Sequence, residues 1–173
     1  MSELLQQQTG NGVLKANLKD GVLEGELRVE EHGRLQVVQR YRQGVLHGMM
    51  ESWHPNGQLA MQQNYQQGMA QGIARYWSAE GTLTREEEWR EGQLYGECRS
   101  YYPSGQIQTR EQWRKGLRHQ TCEQFYPDGT LAVRQYFDTG KLKGQTERWL
   151  PDGRAVDING KAQSRISKWT ERL

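Results

Sequence analysis

The chain has 173 residues, of which only 34% are hydrophobic, and a formal net charge of +2. This balance excludes an acidic solvating polymer and gives no support to a general nucleic-acid binder, and no apolar run approaches the length of a membrane-spanning helix. The charge is uneven: residues 1–91 hold 9 Lys/Arg against 12 Asp/Glu and residues 92–173 hold 14 against 9, a gradient able to orient a charged partner.

In chain order, residues 1–8 lack the basic start and long apolar core of a secretory signal, which predicts a cytoplasmic chain. They read as a helical turn or frayed strand in which Leu4 and Leu5 cap the first repeat, and residues 12–20 read as the second half of a truncated unit. A degenerate unit starts at Gly21, one residue short between Gly25 and Gly33 and without an aromatic before its turn. From Gly44 the pattern is regular. Gly44, Gly68, Gly92, Gly116 and Gly140 stand 24 residues apart, and Trp53, Trp77, Tyr101, Phe125 and Trp149 keep the same step. A strict period of this length marks a repeat architecture, in which each unit buries its apolar surface only against its neighbours. The expected organisation is a cap or partial repeat over residues 1–20, a repeat array over 21–160 and a C-terminal cap over 161–173. In that cap Ile166, Trp169 and Leu173 fall at helical spacing, the pattern of a short amphipathic helix or an irregular cover for the last hairpin.

Within each unit two short strand-like segments flank a turn such as Pro55-Asn56-Gly57, Pro103-Ser104-Gly105 or Pro127-Asp128-Gly129. Proline presets the first central residue of a type I turn, and the glycine accepts the left-handed conformation of a bulged hairpin, so each unit is predicted to be a β-hairpin. After the turn, Leu59, Met61, Gln63 and Tyr65 alternate in phase, as do Ile107, Thr109, Glu111 and Trp113. The ends of these runs, with the aromatic of the first strand, are expected to form a buried seam. Cys98 and Cys122 occupy one repeat position, shared with Met50 and Ala74. Equivalent positions two strand spacings apart lie roughly 9 to 10 Å from each other, beyond the reach of about 7 Å for a disulfide. Two structural thiols are expected.

The core of one unit, residues 89–96 followed by an aromatic and Gly105, resembles the MORN repeat, as does 65–72 with Gly81. The usual further glycine two residues after the second is replaced by Met50, Ala74, Cys98, Cys122 and Thr146. The turn of Pro, a small polar residue and Gly, followed by Leu or Ile, resembles instead the MORN-variant repeat of the bacterial YwqK-type antitoxin family. That resemblance implies an all-β fold, an elongated curved antiparallel sheet of tandem hairpins, and the role of an antitoxin or immunity protein. Gln120 stands in place of the second glycine of its unit, where a local bulge or widened turn is expected.

No cluster of acid, base or nucleophile breaks the repeat logic, so no catalytic residue, metal ligand or cofactor is assigned. His47 and His119 share a position held elsewhere by Gln71, Tyr95 and Lys143, which is how a solvated site behaves. Glu86, Glu87 and Glu88 form the densest acidic run, serving solubility and edge protection or competing with nucleic acid for a basic groove. Arg110, Arg114, Lys115, Arg118 and His119 gather basic charge near Trp113 and Tyr102. The periodic aromatics are read as packing, and specificity is sought where units differ. The candidate partner-binding residues are Tyr76, Glu86, Glu88, Tyr95, Arg99, Tyr102, Glu123 and Tyr126, with Tyr and Arg the types enriched at interface hot spots. The leading expectation is a non-enzymatic immunity protein that binds a cognate toxin, without direct nucleic-acid contact. The alternative is a scaffold that meets anionic lipid through its basic half.

Overall fold

The computed structural model describes residues 1–157 and 159–163. The helical pattern of Ile166, Trp169 and Leu173 lies outside the described residues. The chain divides into two compact units, Met1–Tyr95 and Gly96–Leu173. Among the described residues every regular element is a β-strand.

The first unit contains β1 (Ser2–Thr9), β2 (Gly12–Lys19), β3 (Val22–Glu31), β4 (Arg34–Arg42), β5 (Val45–Leu46), β6 (Gly48–Trp53), β7 (Leu59–Gln66), β8 (Met69–Trp77), β9 (Leu83–Arg90) and β10 (Gln93–Leu94). Its strands pair antiparallel in sequence order, β5 continuing the pairing of β4, and β10 pairing with β9. The second unit contains β11 (Gly96–Tyr101), β12 (Ile107–Arg114), β13 (Leu117–Phe125), β14 (Leu131–Asp138), β15 (Lys141–Trp149) and β16 (Ala155–Val156), again paired antiparallel in order. In place of a helical turn or frayed segment, residues 1–20 form a regular hairpin, β1–β2, with unbroken register from Ser2↔Lys19 to Thr9↔Gly12.

Two kinds of turn alternate. Where the chain reads Pro-x-Gly, as at 55–57, Gly57 N–H donates to the His54 carbonyl and His54 N–H to the Gln58 carbonyl, both at 2.8 Å, and Gly57 has φ 89°. This is the type I turn closed by a left-handed glycine. Asn56, Asp128 and Asp152 add a side-chain acceptor for the backbone N–H two residues on. The other turns are two-residue connections with both central residues at positive φ, such as Lys115 (51°) and Gly116 (73°), the type I′ geometry that matches strand twist. The degenerate unit uses this second kind, His32-Gly33, where the full repeats use Pro-x-Gly, which accounts for its missing residue.

Two bulges per unit set which side chains share a face. The first follows the Pro-x-Gly turn: Ser52 pairs with Met61 but Trp53 with Leu59, and the same shift recurs at Tyr76/Trp77, Ser100/Tyr101 and Gln124/Phe125. Paired residues share a face, so the shift puts Leu59 on the face of Trp53 and leaves Met61, Gln63 and Tyr65 on the other. The expected single seam from Leu59 to Tyr65 is therefore two apolar rows, one on each face. The second bulge sets one residue against three. Gln62 pairs with Arg75 and Asn64 with Gln71, leaving Gln63 opposite Gly72, Ile73 and Ala74. Gln112 faces His119, Gln120 and Thr121 in the same way. The widened strand expected only around Gln120 is thus a general device, and Gln120 (φ 62°) adopts the left-handed geometry that glycine takes in sister units.

Bulged strands bend; Ala16, Gln63, Ala74 and Glu87 of the first unit and Cys98 and Cys122 of the second are buried on the bend side, while Val38, paired with Arg28 and Glu51, is buried on the opposite face. Cys98 and Cys122 are buried and not joined in a disulfide, and burial pushes the Cys122 thiol above its ordinary value. In each unit the buried side chains are few and small and lie within one sheet. Stability therefore rests on the hydrogen-bond ladder, on cross-strand pairs and on links between repeats.

Candidate partner-binding site

On the bend side of the first unit, the Gln or Glu of each second strand is the polar centre. The Gln63 amide donates to the carbonyls of Asn64 (2.8 Å) and Gln71 (3.2 Å), closing the backbone acceptors that the bulge opens. Glu87 occupies the same repeat position but cannot donate. It accepts instead from the Tyr76 hydroxyl (3.0 Å), Arg85 Nε (2.6 Å) and Trp89 Nε1 (3.1 Å). Burial, with the charge and hydrogen bond of Glu87, raises the Tyr76 pKa to about 12. In the second unit Glu111 accepts from Trp113 Nε1 (3.2 Å) and Arg118 (2.7 Å). A glutamate at this position comes with a tryptophan two residues later, and a glutamine with Tyr65 or Phe137.

The opposite face carries alternating charge. In the first unit Arg40 bridges Glu26 (3.2 Å) and Glu51 (3.4 Å), and Arg75 meets Glu86 (3.0 Å). The Arg28 hydrogen bond to Glu26 holds that carboxyl below its usual value. In the second unit Arg99 pairs with Glu97, Arg110 lies 3.6 Å from Glu123, and Arg134 joins Glu123 (2.9 Å) to Glu147 (3.8 Å) while lying over the Trp149 ring. Such partly exposed pairs contribute little singly; Arg110 and Arg134 also lie over the Phe125 and Trp149 rings.

Four of the eight sequence-derived candidates lie in the first unit. Tyr76, paired with Met61 and Arg85, sits on the bend face with its hydroxyl engaged by Glu87. Glu86 and Glu88 lie on the opposite face, across from Arg75 and Ile73. Tyr95 stacks under the Arg90 guanidinium, 4.0 Å from ring centroid to Cζ. In the second unit Arg99 and Glu123 belong to the ion-pair network. The Tyr102 and Tyr126 hydroxyls donate to the carbonyls of Phe125 (2.8 Å) and Trp149 (2.9 Å), stitching one repeat to the next. His54 makes the equivalent contact to the Trp77 carbonyl. Of the basic residues expected to face an anionic partner, Arg110 and Arg118 are both held by glutamates.

Two residues not singled out in the sequence join Glu86 and Glu88. Met49 and Ile73 are 38% and 50% exposed, and their pairing with Asn64 and Glu88 sets them on the alternating-charge face of the first unit. The signal for them is variation: the same repeat position holds Glu97, Thr121 and Gln145 elsewhere. Exposed aliphatic side chains set among the Arg40–Glu51 and Arg75–Glu86 pairs and beside Glu88 form a surface suited to a protein partner with an apolar contact and a charged rim.

A family model described as MORN repeat variant matches residues 46–67 and 94–115. These two segments are similar to the MORN repeat variant. Each matched MORN span ends on the left-handed residue of a type I′ turn, Gln67 or Lys115. The spans 70–91 and 118–139 share the register but carry Ala79 for the turn proline and Gln120 for the second glycine respectively. MORN repeats occur in protein-binding scaffolds. No curated protein matches the chain.

Proposed function

We propose that this chain is a non-enzymatic immunity protein or antitoxin, acting in the cytoplasm, that binds a cognate toxin through the face of its first unit that carries Met49 and Ile73 and occludes the toxin's active site or substrate groove. The observation that carries this reading is the placement of Met49 and Ile73, exposed and aliphatic, among Glu51, Glu86 and Glu88. Support comes also from the rigidity of a hydrogen-bonded sheet, which lowers the ordering cost of association, and from the resemblance of the turns to the antitoxin repeat. A nuclease is the favoured toxin class, with Glu88, opposite Ile73, the carboxylate offered to a groove built for phosphate. A lipid-binding scaffold would need cations that Arg110 and Arg118 here commit to glutamates.

The test is titration calorimetry of the chain against the purified product of the reading frame adjacent to its own, with cell survival as a second readout. The expected result is a tight complex that protects cells, weakened about 100-fold by Ile73→Lys, the loss of one interface anchor of roughly 3 kcal/mol. Absence of binding and of protection by the wild-type chain overturns the immunity reading. Binding by Ile73→Lys at wild-type affinity overturns the face.

A further inference from the structure

The two ends of the described strand order are treated differently. β16 has only two residues, and Val156 is bridged to Ala162. β1 is eight residues long and exposed throughout, with Leu4 67% and Leu5 41% accessible. Edge strands are normally blunted by charge, proline, bulges or brevity. Along β1 the only charged side chain is Glu3, there is no proline, and its pairing with β2 is free of shifts.

The hydrogen-bonding direction of each β1 residue is set by its hairpin. The Met1 carbonyl accepts from the Asp20 N–H at 3.2 Å, and Thr9 closes the two-residue turn against Gly12. Odd-numbered residues therefore turn their backbone groups toward β2, and Ser2, Leu4, Gln6 and Gln8 turn theirs outward. We infer that this edge is occupied by the β1 strand of a second copy of the chain, paired antiparallel about a two-fold axis through Leu5.

Three observations select this occupant and register. Setting Leu5 against Leu5 matches Leu4 with Gln6 and Ser2 with Gln8, so every outward N–H and C=O of both strands is used, whereas a two-residue slip either way strands Ser2 or Gln8. Leu5 against Leu5 is then a non-hydrogen-bonded pair, the kind in which side chains approach most closely. Glu3 meets Gln7, so no like charges are opposed. The interface is isologous and closed, which consumes both edges and prevents further growth at them. It is independent of the proposed toxin-binding face.

The experiment is sedimentation and light scattering of the full chain and its variants, with circular dichroism to verify folding. The wild type is expected at twice its 20.1 kDa mass. Leu5→Lys, placing two charges at the axis, and Leu4→Pro, deleting an outward N–H without touching the inner ladder, should both return the chain to 20.1 kDa with an unchanged spectrum. In a separate pair of samples, Leu5→Cys should form a disulfide-linked dimer under mild oxidation while Ser2→Cys does not, since only residue 5 meets its own symmetry mate. A monomeric wild type overturns the proposal. So does a dimer that survives both Leu5→Lys and Leu4→Pro, or cross-linking by Ser2→Cys in preference to Leu5→Cys.

Discussion

The Tyr102 hydroxyl donates to the Phe125 carbonyl at 2.8 Å, and 24 residues later Tyr126 repeats the contact on the Trp149 carbonyl at 2.9 Å. Each hydroxyl satisfies a backbone carbonyl of the following repeat. Tyr102→Phe and Tyr126→Phe should each cost about 1 kcal/mol, the net value of one such bond. Urea denaturation of the single variants measures this. Values near zero would mean that water serves the carbonyls equally well.

Gln63 and Glu87 hold one repeat position with opposite hydrogen-bonding demands, which makes an exchange informative. Glu87→Gln faces three donors with a single acceptor oxygen and should lose about 2 kcal/mol. Gln63→Glu sets a carboxylate against the carbonyls of Asn64 and Gln71, with a cost at neutral pH of about 2 to 3 kcal/mol. The second loss should shrink in acid. A carboxyl buried beside acceptors has its folded pKa raised, so the folded state binds the proton more tightly, and the stability so conferred is full below about 4.3, the unfolded value, and lost as pH rises through the folded one. Denaturation midpoints of Gln63→Glu across pH 4 to 8 should therefore fall with rising pH relative to wild type.

Tyr76 offers a spectroscopic check on the same cluster. Its pKa is raised from 10.0 to about 12 by burial and by Glu87. Phenolate absorbance of the wild type minus that of Tyr76→Phe should stay near zero at pH 11 and appear only toward pH 12, provided the fold persists. The unfolded phenol ionises first, so the stability contributed by Tyr76 is present below pH 10 and lost as pH rises toward 12. Ionisation of Tyr76 at the ordinary value would show that its hydroxyl does not meet Glu87.

The hairpins and their turns are legible in the sequence because glycine and proline answer to local backbone geometry alone. Gly57 and Gly105 name their own φ, and a period of 24 residues exposes them. Face assignment is not legible beyond the first bulge. Counting by twos places Leu59 with Met61, but a single register shift separates them. The same limit affects the candidate site. Tyr76 and Glu86 both differ from their counterparts in neighbouring units, the property that groups them as candidates, yet they lie on opposite faces. Ile73 escapes a reading by sequence because an aliphatic residue in a strand is ordinarily core, and its exposure arises only from the three-residue arm of the bulge.

Backbone conformation gives the last test, because several side-chain-bearing residues stand where asparagine or glycine is favoured. Lys115 (φ 51°) opens a type I′ turn before Gly116, and Asn is the preferred residue there. Lys115→Asn should stabilise the chain by about 0.5 kcal/mol. Gln120 (φ 62°) holds the bulge position taken by Gly72 (φ 77°) in the first unit. Gln120→Gly relieves a left-handed side chain worth about 1 to 2 kcal/mol but adds up to about 1 kcal/mol of chain entropy, for a net gain of about 0.5 kcal/mol. The reverse change, Gly72→Gln, meets no steric obstacle, since a Cβ there has nothing within 4 Å, so its expected cost of about 0.5 to 1 kcal/mol is conformational alone. Denaturation of the three variants should give two gains and one loss. Were Gln120→Gly destabilising, the Gln120 side chain would have to contribute contacts that outweigh its backbone strain.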